Sequence, residues 1–165
     1  EAKRCGETIV NTFINKKKID AKSIRLSLAY GPGVTKDDGR VLNQFIQRSL
    51  KDNVLFIQDD GKAIRKYIYI SDAIRMMLNV LIKGKRKVYN ICGTEKITIA
   101  QLGFKIGKIL NIPVKTKKDK PIKGSPKIVS LSLKRYRSEF KMEPMIKIKQ
   151  GLKNTIEWYK KLYQA

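Results

Sequence analysis

Apolar residues near the start of the chain recur at helical spacing. Ile9, Val10, Phe13 and Ile14 fall on one side of a helix predicted from Lys3 to Lys18. The basic run Lys16-Lys17-Lys18 suits that helix's C-terminus, where the dipole favours cations. "KSIRLSLAYGPG" follows as a short strand over residues 23 to 29, stopped by Gly31-Pro32-Gly33. Asp37-Asp38-Gly39 then turns the chain into a helix whose Val41, Leu42, Phe45, Ile46 and Leu50 make one apolar stripe. "NVLFI" and "KYIYI" predict two short strands around the turn Asp59-Asp60-Gly61. The next helix, capped by Ser71 or Asp72 and running to about Lys83, is expected to bury Ile74, Met77, Leu78 and Leu81. "KVYNIC" predicts another strand. Thr98 and Gln101 have the spacing of a capping box ahead of Leu102, Ile106, Ile109 and Leu110. Beyond Pro113 the pattern weakens into a Lys/Pro/Gly-rich stretch ending near Ser125-Pro126, read as a long surface loop. A last helix, from about Ile148, carries Leu152, Ile156, Tyr159 and Leu162.

Strands alternating with helices predict an α/β unit. With 165 residues, 42% of them hydrophobic, the chain can bury one core or the larger part of one. It has neither an apolar run of about 18 residues nor a signal-peptide pattern, so no membrane contact and no secretory leader are expected of this stretch. Cys5 and Cys92 lie far apart with no C-x-x-C spacing, which suggests neither a zinc ribbon nor a disulfide framework and fits a reducing cytoplasm. The sequence contains no His, which excludes Ser-His-Asp chemistry, H-E-x-x-H metal sites and imidazole bases, and no metal site is expected. No strand runs into G-x-G-x-x-G or G-x-x-x-x-G-K-[ST], so the chain has no phosphate-cradling loop of its own.

The formal charge of +23, from 37 basic and 14 acidic residues, invites a nucleic-acid reading. Lysine far outnumbers arginine, however, whereas planar bidentate readout of phosphate and bases favours arginine. The lysines are spread over the whole chain and are densest in the last third. A solvated lysine-rich surface is the expected reading, with a polyanion-binding module kept as an alternative.

Four stretches in order, "EAKRCGE", "RLSLAYGPGVTKDDGRVLNQFI", "DDGKAIRKYIYISDAI" and "VYNICGTEKITIAQL", resemble the second half of NAD-dependent sugar-nucleotide epimerases/dehydratases, the extended short-chain dehydrogenase family. "QGLKNTIEWYKK" is similar to that family's closing helix. Residues 111 to 145 carry little of the resemblance. The branch holding UDP-glucuronate decarboxylases and dTDP-glucose 4,6-dehydratases looks most similar. The resemblance implies the C-terminal part of an NAD(P)-binding Rossmann-fold enzyme. Residues 1–50 would form the end of the Rossmann domain with its lysine helix, and residues 51–165 mainly a small α/β substrate-binding domain. The glycine-rich N-terminal half would lie outside this sequence, and the chain alone is expected to lack turnover and tight NAD binding.

The family's Tyr-x-x-x-Lys signature makes Lys3 the catalytic lysine, which also holds the cofactor ribose, and puts its tyrosine two residues before Glu1. An ammonium beside a phenol with pKa near 10 stabilises the phenolate that acts as base. The same resemblance directs Ala29, Thr35 and Arg40 to the NAD cofactor, and Phe13 and Arg65 to a UDP- or dTDP-linked sugar substrate. Arg40 stands at a helix N-terminus, where the dipole disfavours a cation, so a functional use is expected of it. Asp72 is read as a helix cap. Ser27-Leu28 stand where the family often has Phe-Asn, and Gly33 replaces a common Arg, which leaves the reaction open among epimerisation, dehydration and decarboxylation. A homodimer is implied through the lysine helix and its neighbour, and a non-catalytic remnant is the other alternative.

Overall fold

The computed structural model describes residues 1–17, 19–35, 37–116 and 126–163. Helix α1 (Ala2–Lys17) leads into two short strands, β1 (Ser23–Leu26) and β2 (Leu28–Tyr30), so the single strand expected over 23 to 29 is broken at Ser27. Next come α2 (Val41–Asp52), β3 (Leu55–Ile57), β4 (Ile64–Tyr69), α3 (Ile70–Lys83), β5 (Val88–Ile91), β6 (Lys96–Thr98) and α4 (Ile99–Leu110). The chain finishes with β7 (Val114–Thr116), the short α5 (Lys134–Arg137) and α6 (Ile148–Tyr163). Strands and helices alternate as the sequence implies. Most of the predicted loop after Pro113 lies outside the described residues.

Strand pairing departs from the sequence reading. β3 and β4 do not form a hairpin: β3 pairs in parallel with β7, while β4 pairs in parallel with β2 and antiparallel with β6. Two things prevent the hairpin. The connection is six residues long, and its turn is captured elsewhere: Gly61 N–H donates to Asp59 Oδ1 at 3.0 Å while its carbonyl accepts from Ala100 N–H at 2.9 Å. Gly61 sits at φ +61, and a Cβ there would lie 2.7 Å from that of Ala100, so only glycine lets the turn dock on the start of α4. β1 pairs in parallel with β5, Ser23 opposite Val88 and Leu26 opposite Ile91.

Two hydrophobic clusters result. The larger joins α2, α4 and α6 to β3 and β4 through Leu42, Ile46, Leu102, Ile106, Leu152 and Ile156. α4 starts with the expected capping box, Thr98 accepting from Gln101 N–H and Gln101 Oε1 accepting from Thr98 N–H, both at 3.0 Å. The smaller cluster packs Ala73, Met76 and Val80 of α3 on Tyr89 and Ile91 of β5, with Leu133 and Tyr136.

Of the four α3 residues the periodicity selected, only Met77 packs against that cluster, and it is half-buried. Ile74, Leu78 and Leu81 are 46, 49 and 63% exposed. The helix is apolar nearly all round, so spacing alone cannot choose its buried face. Asp72 is no N-cap either. Tyr69 occupies that position, and the buried Asp72 carboxylate instead accepts from Ile146 N–H and from Arg75 Nη2, both at 2.9 Å. It ties α3 to the segment leading into α6. α1 forms as predicted but buries no residue, and it is held beside β1 and β5 by a two-point Glu7–Arg25 pair at 2.7 Å and by Lys87 donating to Asn15.

Candidate substrate-binding site

The glycine-proline turn after β2 sends the chain out to residues 34 to 39 and back into α2. Arg40 is the N-cap of α2, in extended conformation, with its own N–H donating to Asp38 Oδ1 at 2.9 Å. The Asp38 carboxylate also holds the guanidinium, with Arg40 Nε at 2.9 Å from both oxygens and Nη2 at 2.5 Å from Oδ2. Arg40 Nη1 reaches the Ala29 carbonyl at 3.3 Å, which pins the head group to the end of β2. The cation beside it holds the Asp38 carboxyl far below the usual carboxylate range, and the same pairing raises Arg40. This answers the dipole argument for Arg40: the helix start tolerates the cation because a carboxylate is bound to it.

α2, strand β2, the first half of β4 and the residues after β3 enclose a cavity of about 370 Å³, within the size range of ligand pockets. Its walls are mainly apolar, with Leu28, Leu42, Phe45, Ile57, Ala63 and Ile99. Three guanidinium-bearing residues, Arg40, Arg48 and Arg65, line it, with Asp59 as the acidic one. Arg65 projects from β4, and its Nη1 donates to the carbonyls of Ile64 and Pro126, both at 2.9 Å. Tyr67, two residues on, is buried, and the loss of water around it pushes its phenol up to about 12. Behind it the phenol of Tyr30 is buried without a hydrogen-bond partner among the described residues, against Gly151 of α6, and burial raises its pKa as well.

The structure brings together three of the six residues singled out from the sequence: Ala29, Arg40 and Arg65. Lys3, Phe13 and Thr35 lie outside the lining. Lys3 is exposed on α1, Phe13 is half-exposed further along it, and Thr35 is exposed with its carbonyl accepting from Asp38 N–H at 3.2 Å. Sequence reasoning missed Gln44, Arg48, Gln58 and Tyr67. A signal for two of them was present: Arg40, Gln44 and Arg48 recur every four residues, a polar stripe beside the apolar one.

The profile of the NAD dependent epimerase/dehydratase family matches residues 1–92, more than half of the chain. The chain belongs to that family. Among curated epimerase/dehydratase relatives, UDP-glucuronic acid decarboxylase 3 of Arabidopsis thaliana is 24% identical over 152 residues, covering 92% of this chain and 44% of the relative. A dTDP-4-dehydro-6-deoxy-D-allose reductase of Streptomyces is 24% identical over 163 residues, covering 96% of this chain and 49% of the relative. The chain therefore spans about half the length of the curated relatives it matches.

Solved epimerase/dehydratase structures agree on the fold. UDP-glucuronic acid 4-epimerase from Bacillus cereus, in complex with UDP-glucuronic acid and NAD, superposes with a TM-score of 0.83 at 25% identity, over 96% of this chain and 51% of its own. dTDP-glucose 4,6-dehydratase from Bacillus anthracis, in complex with NAD, gives 0.82 at 22%, over 96% and 50%. The α/β architecture with parallel strands is thus that of the Rossmann-fold extended short-chain dehydrogenases. Among the described residues no helix is long and apolar enough to cross a membrane.

Proposed function

We propose that the chain is the substrate-binding portion of an NAD-dependent nucleotide-sugar epimerase, dehydratase or decarboxylase, and that the cavity beside α2 takes the nucleoside diphosphate of a UDP- or dTDP-linked sugar. The observation that carries this is the meeting of Arg40, Arg48 and Arg65 on an otherwise apolar cavity. Guanidinium groups match phosphate oxygens by paired, charge-assisted hydrogen bonds, and apolar walls suit the flat faces of a base and a sugar. Similar structures solved with UDP-glucuronic acid and with UDP-glucose support the same class.

In this reading Arg65 binds the diphosphate, with its reach limited by its two carbonyl contacts. Arg40 offers its outer face, while Asp38 offsets much of its charge and fixes its position. Lys3 is assigned the electrostatic role of lowering the pKa of a tyrosine that precedes it in the complete enzyme, which acts as the general base. Phe13 is assigned to the sugar. α1 is assigned to the interface of a homodimer, and the complete enzyme to the cytoplasm.

NAD, when bound, supplies reversible removal of hydride from the sugar. The residues present make only part of a site for it. Ala29 and Arg40 reach the cavity, Lys3 and Thr35 lie outside its lining, and the sequence has no glycine-rich turn after a strand to cradle a pyrophosphate. They do not by themselves fit a dinucleotide.

Calorimetric titration of the chain tests the proposal. UDP or dTDP should bind saturably, and Arg65→Ala should weaken binding by roughly 10-fold or more, the worth of a hydrogen bond to a charged group. NAD should give no saturable heat. Absence of UDP binding, or displacement of UDP by arbitrary duplex DNA with a steep salt dependence, would make the polyanion module the better reading.

A further inference from the structure

We propose that Asp38 closes the Arg40 end of the cavity to phosphate, so that a nucleotide-sugar ligand lies in it one way round, with its diphosphate at Arg65 and an uncharged part at Arg40. This direction rests on the nucleotide reading of the cavity and adds the residue that sets it.

The two guanidinium groups mark opposite ends of the β2–β4 pair. Ala29, whose carbonyl holds Arg40, is paired with Ile68, and Arg65 precedes Ile68 by three residues on β4. At about 3.3 Å per residue the two anchor points lie roughly 10 Å apart along the strand. Both arginines line the same cavity. Two equivalent cations would therefore offer a diphosphate two places to bind, and the rest of the ligand two ways to lie.

They are not held alike. The contacts that fix Arg65 include the carbonyls of Ile64 and Pro126, neutral acceptors that position a cation without cancelling its charge. Arg40 is fixed by a carboxylate. Asp38 takes the side of the fork made by Nε and Nη2, and also accepts the Arg40 backbone N–H. The Ala29 carbonyl takes one N–H of Nη1. Of the five guanidinium donors two are left over, one on each terminal nitrogen. These can meet a hydroxyl or carbonyl oxygen, but the charge that would draw a phosphate is already matched.

Asp38 is also hard to dislodge. Its side chain is 16% exposed against 51% for Arg40, so the carboxylate is the more enclosed partner. The side chain of Asn43, buried in the first turn of α2, hydrogen-bonds to it, and the Asp38 N–H donates to the Thr35 carbonyl at 3.2 Å. A tethered group acts at an effective concentration on the order of millimolar or more. A dissolved anion has to displace it from a paired, charge-assisted contact, whereas at Arg65 it meets no such rival in the reading above.

Titrations of the chain with inorganic pyrophosphate and UDP test the proposal. The variants are Arg65→Ala, Arg40→Gln and Asp38→Asn, then Asp38→Asn with Arg65→Ala, and all three together. Thermal unfolding of each checks that it is folded. Asp38→Asn removes the charge while its amide oxygen can still accept from Arg40. Arg48 also lines the cavity and is unchanged throughout, so its contribution is common to every variant. In the wild-type background Arg65→Ala should weaken pyrophosphate about 10-fold, and Arg40→Gln by about twofold or less. Adding Asp38→Asn to Arg65→Ala should recover about 10-fold in pyrophosphate affinity, and Arg40→Gln should remove that gain. Equal losses from Arg40→Gln and Arg65→Ala would mean that Arg40 binds phosphate while paired. No gain from Asp38→Asn on Arg65→Ala would mean that the carboxylate is not what keeps phosphate away. Either result overturns the role of Asp38, and wild-type UDP binding would leave the nucleotide site standing. If wild type and Asp38→Asn bind neither pyrophosphate nor UDP, the nucleotide reading fails and the direction proposed for the ligand fails too.

Discussion

The cavity side of the molecule and the α1/α3 side follow different rules of burial. Around the cavity, the amphipathic helices hide most of the face their sequence marks as apolar, Leu42 and Ile46 on α2, Leu102 and Ile106 on α4, Leu152 and Ile156 on α6, with Val41 and Leu162 left exposed near the helix ends. On the other side α1 buries nothing, and α3 buries one apolar face while showing a second, from Ile74 through Leu78 and Leu81 to Ile82, the last 72% exposed. Contiguous exposed apolar stripes of that kind are typical of interaction surfaces. The well-buried helices thus stand around the cavity, while the two open helix faces lie on the side of the parallel pair β1–β5. The lesson is that amphipathicity reports burial in whichever assembly the sequence serves, which need not be the isolated chain.

Four measurements break or sharpen this contrast. The largest effect is expected at Leu102, fully buried between α4 and β3. Leu102→Ala should cost about 2–5 kcal/mol in urea unfolding, enough to remove much of the stability of a chain this size. A loss below about 1 kcal/mol would mean that the cavity side is as loosely packed as the other.

Next is the response to alkali. Tyr67 titrates near 10 in the unfolded chain and at about 12 in the fold, because burial penalises the phenolate. The folded state therefore holds more protons across that interval. Stability is fully present below pH ~10 and falls as pH rises toward about 12, by an amount on the order of 2 kcal/mol. Tyr67→Phe should flatten that decline in pH-dependent unfolding, which locates the alkaline weakness in the edge-to-face pair of Tyr67 and Tyr30. An unchanged slope would assign it to other phenols.

Tyr30→Phe should then stabilise the chain, by about 1 kcal/mol, because it removes a buried hydroxyl without a partner. Destabilisation would reveal that the hydroxyl is satisfied by water. The smallest change is expected on the open face. Leu78→Gln and Leu81→Gln should each alter the stability of the isolated chain by about 0.5 kcal/mol or less, as surface substitutions do. A loss comparable to that of Leu102→Ala would mean the face is already covered in solution.

These differences also explain what the sequence could reveal. The capping box of α4 and the stripe of α2 are local patterns, and local patterns survived: both helices begin within a residue or two of where the pattern puts them. The partners of β3 and β4 were not local. Both strands are apolar enough to lie inside a sheet, and nothing in "LFI" or "IRKYIY" says that β7, nearly sixty residues after β3, would take the place of its neighbour. Asp72 carried the composition of a cap, but its partner Ile146 lies far along the chain. In the cavity, Arg40 and Arg65 were singled out through family resemblance and Arg48 lay on the four-residue polar stripe of α2, whereas Gln58 needed the fold to bring the end of β3 beside α2.

The parallel pairing of β1 carries a practical consequence. Ser23 and Ser27 spend their amides on β5, so the alternate residues Ile24 and Leu26 turn theirs to the opposite side, where no strand is paired among the described residues. A strand edge left open in this way is a template for any extended peptide, including another copy of the same chain. Concentrated solutions of the isolated polypeptide should therefore scatter light well before heat unfolds it, and a short peptide that caps the edge should clear them.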